Sequence, residues 1–271
     1  MIRKWGVLSL ILLLSFDATA QGSDWHKLAS IQVEDLDQIS MDNRENIFYA
    51  DGGGNVVKLS AKGDLVNQYS PLFQAKVDQL EAFWTVNIFL FSADLQQFVM
   101  LDLFLNPLST HSIQQENMGI VKAATLGNNN ILWLFDEIGL SLIQYDYRRN
   151  VIVQEHPLST TLGYEKIEVK ELMERQNLVF MNIKDQGIFI FDNQGNLLQK
   201  LDLDIEQKIT IYKDNLYFIK DGFIHRVQFY TGKEELFKLP DPSYINMLVS
   251  ANKIIFYSPT SIDIYDRPIL K

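Results

Sequence analysis

The stretch "DNRENIFYADGGGNVVKLSAKGDLVNQY" (residues 42–69) holds three short apolar runs, "IFYA", "VVKL" and "LVNQY", separated by clusters of Asp, Asn, Gly, Ser and Lys. Runs of this length and composition between such clusters read as β-strands joined by tight turns. The segment "DGGGN" (residues 51–55) has two possible meanings. Gly-rich loops cradle phosphate where they lead into a helix N-terminus. Here "VVKL" follows, which is a strand, and the segment also lacks the alternating oxygen ligands and distal Glu of a calcium loop. It therefore reads as a hairpin turn.

The same strand-turn-strand pattern recurs along the chain. It appears in residues 44–66, 86–108, 129–152, 176–198, 214–236 and 252–268. Anchored on the polar residue before each strand (Asn46, Asn87, Asn130, Asn177, Asn215 and Lys253), the steps are 41, 43, 47, 38 and 38 residues. A further strand precedes each anchor, as in "DQISM" (residues 37–41) and "KITIY" (residues 208–212), and "EVKELMERQ" (residues 168–176) takes that place in the fourth unit. Four strands in about 40 residues is the spacing of a β-propeller blade. The last unit has only three strands, while "HKLASIQV" (residues 26–33) is a strand without a unit. Letting that N-terminal strand complete the last blade removes an open sheet edge. The expectation is an all-β chain forming a six-bladed β-propeller closed by an N-terminal strand.

"KDGFIHRVQFYTGKEELFKL" (residues 220–239) is similar to a quinoprotein-type strand-turn-strand unit, and "DNQGNLLQKLDL" (residues 192–203) to the outer turn of NHL-type repeats. The chain thus resembles the loosely related β-propeller repeat proteins over nearly all of residues 21–271. That resemblance implies a fold, and a fold leaves function open.

Residues 1–20 read as a signal peptide. Arg3 and Lys4 precede a 12-residue apolar run (residues 5–16), and Ala18 and Ala20 fit a small-x-small cleavage site. The run is short for a membrane span, which takes about 20 residues. The expected domain is residues 21–271, periplasmic or secreted. Without Arg3, Lys4 and Asp17 it carries 22 basic and 33 acidic residues, a net charge near −11. An acidic surface argues against nucleic acid or an anionic membrane as partner. The absence of cysteine from the sequence excludes disulfides, thiolate metal sites and a cysteine nucleophile.

Local catalytic motifs are lacking. His26, His111, His156 and His225 are far apart in sequence, and no nucleophile elbow or Walker loop occurs. The candidate binding residues lie on the turns between the second and third strands. Asp51, Asp94, Asp136 (with Glu137), Asp185 and Asp221 occupy five of these six turns, and the sixth has Ser258 and Pro259. Asp suits tight turns for backbone reasons alone, and a rim of carboxylates could also attract a cation or a basic partner. Phe48, Phe89, Trp133, Phe180, Tyr217 and Phe256 recur at one blade position and read as packing between blades. Trp84 is the aromatic placed nearest a face.

These observations lead to a non-enzymatic, extracytoplasmic, monomeric scaffold that binds an envelope or extracellular protein and needs no cofactor. The alternative is a hydrolase or lyase acting on a sugar or lactone, with a divalent cation held by carboxylates in the channel. A ligand-sensing propeller serving a signalling partner ranks third.

Overall fold

A computed structural model describes residues 25–83, 86–113, 118–163 and 166–268. The segment read as a signal peptide, residues 1–20, and Trp84 lie outside the described residues. The first strand, β1 (Lys27–Gln32), is followed by the first full set, β2 (Leu36–Met41), β3 (Ile47–Asp51), β4 (Val56–Leu59) and β5 (Leu65–Tyr69). The second blade holds β6 (Gln79–Glu81), β7 (Asn87–Ser92), β8 (Gln97–Asp102) and β9 (Pro107–Ser112). The third holds β10 (Val121–Leu126), β11 (Ile131–Asp136), β12 (Ser141–Asp146) and β13 (Val151–Pro157), followed by a five-residue helix, α1 (Leu158–Leu162). The fourth comprises β14 (Val169–Arg175), β15 (Leu178–Ile183), β16 (Gly187–Asp192) and β17 (Leu197–Leu201). The fifth comprises β18 (Thr210–Tyr212), β19 (Asn215–Lys220), β20 (Phe223–Gln228) and β21 (Lys233–Lys238). The sixth has β22 (Asn246–Val249), β23 (Lys253–Ser258) and β24 (Ser261–Asp266), and its outer strand is β1, paired antiparallel with β24 from Lys27 opposite Tyr265 to Gln32 opposite Ser261. The protein is a six-bladed β-propeller of four-stranded antiparallel sheets.

Local chemistry explains the turns. In Asp42–Asn46, Asp51–Asn55, Asp102–Asn106 and Asp192–Asn196 one arrangement recurs. The Asp Oδ1 accepts the N–H groups of residues i+2 and i+4, and its Oδ2 accepts the Asn side-chain amide, all at 2.7–2.9 Å. The fourth residue of each is left-handed: Glu45, Gly54, Leu105 and Gly195 have φ between 65° and 83°. "DGGGN" is thus one of four turns of one design. Of its glycines, Gly54 is the one with φ in the left-handed range, where a Cβ would lie 2.5 Å from the Ala75 carbonyl oxygen.

The core is divided among six apolar clusters, one at each seam between blades. Side chains alternate across each sheet, so each strand feeds both of its seams. The six recurring aromatics are all buried. Five face the following blade, but Phe256 packs toward the fifth, and Ile255 and Tyr257 take the position facing the first. A one-residue offset in β23 accounts for this, because it exchanges the two faces of a strand.

Candidate functional site

Antiparallel strands turn at alternate ends, so the turns between inner and second strands all lie on one face of the ring. The turns between second and third strands lie on the opposite face, with the connections from each outer strand to the next blade. We call these the lower and upper faces.

The inner strands β2, β6, β10, β14, β18 and β22 surround the axis, and each is tied to the next by a polar side chain. Ser40 Oγ accepts the N–H of Ala82 at 2.9 Å. Glu81 accepts Thr125 Oγ1 at 2.5 Å and the N–H of Leu126 at 3.1 Å. Thr125 Oγ1 in turn accepts the N–H of Glu174 at 2.9 Å. Glu171 Oε2 accepts the N–H of Ile209 at 3.0 Å, and Thr210 Oγ1 donates to the Met247 carbonyl at 2.9 Å. Ser250 Oγ and the N–H of Asn252 donate to Glu45 Oε1 at 2.7 and 2.9 Å, returning to the first blade. All six seams are bridged. Main-chain groups on the free edges of buried inner strands need such partners.

A cavity of about 510 Å³ opens on the lower face among the inner strands of blades 1, 2, 4, 5 and 6. The third blade is set behind this wall, where Gln79 Nε2 of the second blade donates to the Leu172 carbonyl of the fourth at 3.3 Å. At the inner end Lys208 crosses the axis, its Nζ donating to Gln38 Oε1 and, at 3.5 Å, to the Asp78 carbonyl. Burial lowers the Lys208 pKa against the opposing pull of Glu171. Burial raises the pKa of Glu171, which Lys208 and the Ile209 N–H offset in part. Glu174 is pushed up to about 7, chiefly by desolvation. Arg175 is drawn down to about 10 for the same reason. Burial, then the nearby Glu171 charge, raises the Tyr257 hydroxyl above the ordinary tyrosine range.

The residues singled out in sequence lie elsewhere. Asp51, Asp94, Asp136, Asp185 and Asp221 stand on the upper face, at mid-blade turns outside the cavity wall. Asp51 is engaged by its own turn. Asp136 is buried and accepts the N–H groups of Gly119 and Ile138, both at 2.9 Å. Asp185 and Asp221 have φ of 58° and 51°, as their turns require. Asp94, Asp185 and Asp221 are exposed. Among the described residues, Asp185, Asp204 and Glu206 form the one carboxylate group close enough to share an ion. All three are exposed and lie on the upper side, away from the channel, with Lys170 2.7 Å from Glu206.

None of the four histidines reaches the cavity: His111 and His156 are on outer strands, His26 immediately precedes the outer strand β1, and His225 is on a third strand. The channel residues Gln38, Ser40, Gln79, Glu81, Thr125, Glu171, Glu174 and Lys208 escaped sequence reading. A usable signal existed in "DQIS" (residues 37–40) and "DQLE" (residues 78–81), where polar residues enter inner strands at matching positions.

The upper face also carries apolar side chains. Phe73, Leu95 and Gly54 border a small hollow between the first two blades. Gln96, next to Leu95, exchanges hydrogen bonds with the backbone of Val121 at 2.8 and 3.0 Å. The Ile120 carbonyl accepts the N–H of Glu137 at 2.9 Å, which places Ile120 beside Ile138. Leu72 is 97% exposed, Phe73 75% and Ile138 68%, too open for core residues.

The chain is similar in fold to many solved β-propellers. A structure of streptogramin B lyase aligns with a TM-score of 0.59 at 15% identity, covering 89% of this chain and 88% of that one. The Pan2 WD40 domain of Neurospora crassa aligns with a TM-score of 0.63 at 9% identity over 91% and 96% of the two chains. BamB from Moraxella catarrhalis aligns with a TM-score of 0.52 at 10% identity over 90% and 100%. No family model matches the sequence, and no curated protein does. At these identities the likeness is one of architecture: the molecule has the β-propeller fold. No helix among the described residues is long and apolar enough to cross a membrane.

Proposed function

We propose that this propeller is a non-enzymatic scaffold, periplasmic or secreted, that docks a protein partner on its upper face. The observation carrying this reading is the exposure of Leu72, Phe73, Leu95, Ile120 and Ile138 on one face, spread as a stripe over blades 1 to 3. Large apolar groups gathered in this way on a soluble surface mark interaction sites. Asp51, Asp94 and Glu137 frame the stripe, and the acidic balance of the chain favours a partner that presents apolar side chains flanked by Lys or Arg. The polar groups of the channel support the same reading from the other side, since Glu81 and Glu171 already serve backbone N–H groups of neighbouring blades.

The test is capture from the native envelope with three forms of the protein: wild type, Leu72→Asp/Phe73→Asp, and a lower-face control, Asn43→Lys. A partner retained by the wild type and the control but lost from the upper-face variant supports the proposal. Equal retention by all three refutes this face as the dock.

An enzyme acting on a sugar or lactone is the second reading. It is favoured by Glu174, whose carboxyl pKa at about 7 stands in the range useful to a general acid or base, and by two structures of similar fold, streptogramin B lyase and virginiamycin B lyase from Staphylococcus aureus. Turnover of lactone substrates by wild type, lost in Glu174→Gln, would establish it.

A further inference from the structure

Arg175 stands in the wall of the lower-face cavity, apart from the docking face. Its guanidinium lies against Phe83, with Cζ 3.2 Å from the ring centroid. The Nε atom is buried and makes no hydrogen bond, and among the described residues the guanidinium forms neither hydrogen bond nor ion pair. Glu81 and Glu174 act on it through space. Glu81 accepts Gln79, Thr125 and Leu126, and Glu174 Oε1 accepts the N–H of Asn177 at 2.8 Å. A guanidinium carries five donors in a planar fork, and leaving the buried Nε donor unused is costly. The group that satisfies such a fork, two oxygens in one plane, is a carboxylate.

We propose that this cavity binds a small organic monocarboxylate, its carboxylate on Arg175 and its apolar body against Phe83, Met173, Ile39 and Leu248. A volume of about 510 Å³ is within the usual range for small-molecule sites. The charge of the wall favours one negative charge over two. Asp42, Glu45, Glu171 and Glu174 face the cavity against Arg175, Lys208 and Lys213, so a dianion such as a phosphate monoester meets four carboxylates. Glu174 gives the site a proton linkage. It is flanked by Glu81 of the second blade and by Arg175, with Asp42 and Glu45 of the first blade, Lys208 and Lys213 of the fifth and Ser250 of the sixth lining the same space. As Glu174 loses its proton above about pH 7, a bound anion is repelled more strongly.

The experiment titrates benzoate, and benzamide as its uncharged counterpart, into the full chain at pH 6, 7 and 8 by calorimetry or NMR. Benzoate is expected to bind, about tenfold more weakly at pH 8 than at pH 6, and benzamide to bind far less. Arg175→Gln, shown to be folded by circular dichroism, should abolish the difference between the two probes. Should that variant not fold, Glu174→Gln, whose amide oxygen can still accept the Asn177 N–H, should tighten benzoate several-fold at pH 8 and flatten the pH dependence. Benzoate binding no tighter than benzamide, binding that survives Arg175→Gln, or a pH dependence unchanged in Glu174→Gln overturns the proposal.

Discussion

Lys208 on the fifth blade donates its Nζ proton to Gln38 Oε1 on the first, spanning the propeller axis between residues 170 positions apart in sequence. It is also the charge facing Glu171, whose Oε2 holds the Ile209 N–H. Removing Lys208 takes away the positive charge that partly offsets the burial of Glu171, together with its bond to Gln38. Lys208→Met is therefore expected to lower the melting temperature sharply. The double variant Lys208→Met/Glu171→Gln should recover much of the loss, because Gln can still accept the Ile209 N–H. A double-mutant cycle by thermal or urea unfolding checks this.

Glu174 sets a pH dependence of stability. Its folded pKa of about 7 lies above its ordinary value of 4.5, so the folded state holds the proton more tightly. Between about pH 7 and 4.5 the folded form binds more protons than the unfolded form, and this group adds stability as the pH falls through that window. Glu174→Gln should be more stable than wild type at pH 8, with the advantage shrinking by pH 5. Urea unfolding at the two pH values measures it.

His156 acts in the opposite sense. Burial lowers its pKa below 6.5, against a smaller pull from Asp192, and its Nε2 is buried without a partner. The unfolded form takes up the proton first as the pH drops below 6.5, so this residue removes stability there. The ring also fills the space beside Gly195, where a Cβ would lie 2.3 Å from Nε2 at a φ of +80°. Replacing His156 with Gln should weaken the loss of stability below pH 6.5, and Gly195→Ala should destabilise strongly through this contact.

The turn glycines separate backbone strain from steric conflict. Gly54 and Gly222 have nearly equal φ, +83° and +80°, but a Cβ at Gly54 meets a main-chain oxygen at 2.5 Å while Gly222 has open space around it. Gly222→Ala is expected to cost about 1 kcal/mol from the left-handed dihedral alone. Gly54→Ala should cost clearly more, because the backbone at Ala75 must shift. Chemical denaturation of the two variants side by side gives the comparison.

The outer seam of the sixth blade offers a test of closure by β1. Tyr244 donates to Asp263, which also pairs with Lys27 of β1 at 3.0 Å, and Tyr244 lies stacked on Phe256. Tyr244→Phe keeps the ring and removes one donor from a buried carboxylate. A loss of about 1–3 kcal/mol is expected, with faster hydrogen exchange in β1 than in the other outer strands.

The strands, their grouping in fours and the count of six blades were legible in the residues alone, because these rest on local rules. Period-two alternation marks a strand within a few residues, and the Asp-x-x-x-Asn turns close within five. The burial of the recurring aromatics followed from the same repeat, although a one-residue offset turned Phe256 to the other seam. The tertiary structure alone decided which polar residues meet. Glu81 finds Thr125, Glu171 finds Ile209 and Lys208 finds Gln38 only when the ring closes and carries distant segments to a common axis. It also decided that the acidic turns stand on the face opposite the cavity, and that Arg175 rests on Phe83 with its donors unused. Strand pattern is written in neighbouring residues, whereas desolvation and pairing of charge depend on everything packed around them.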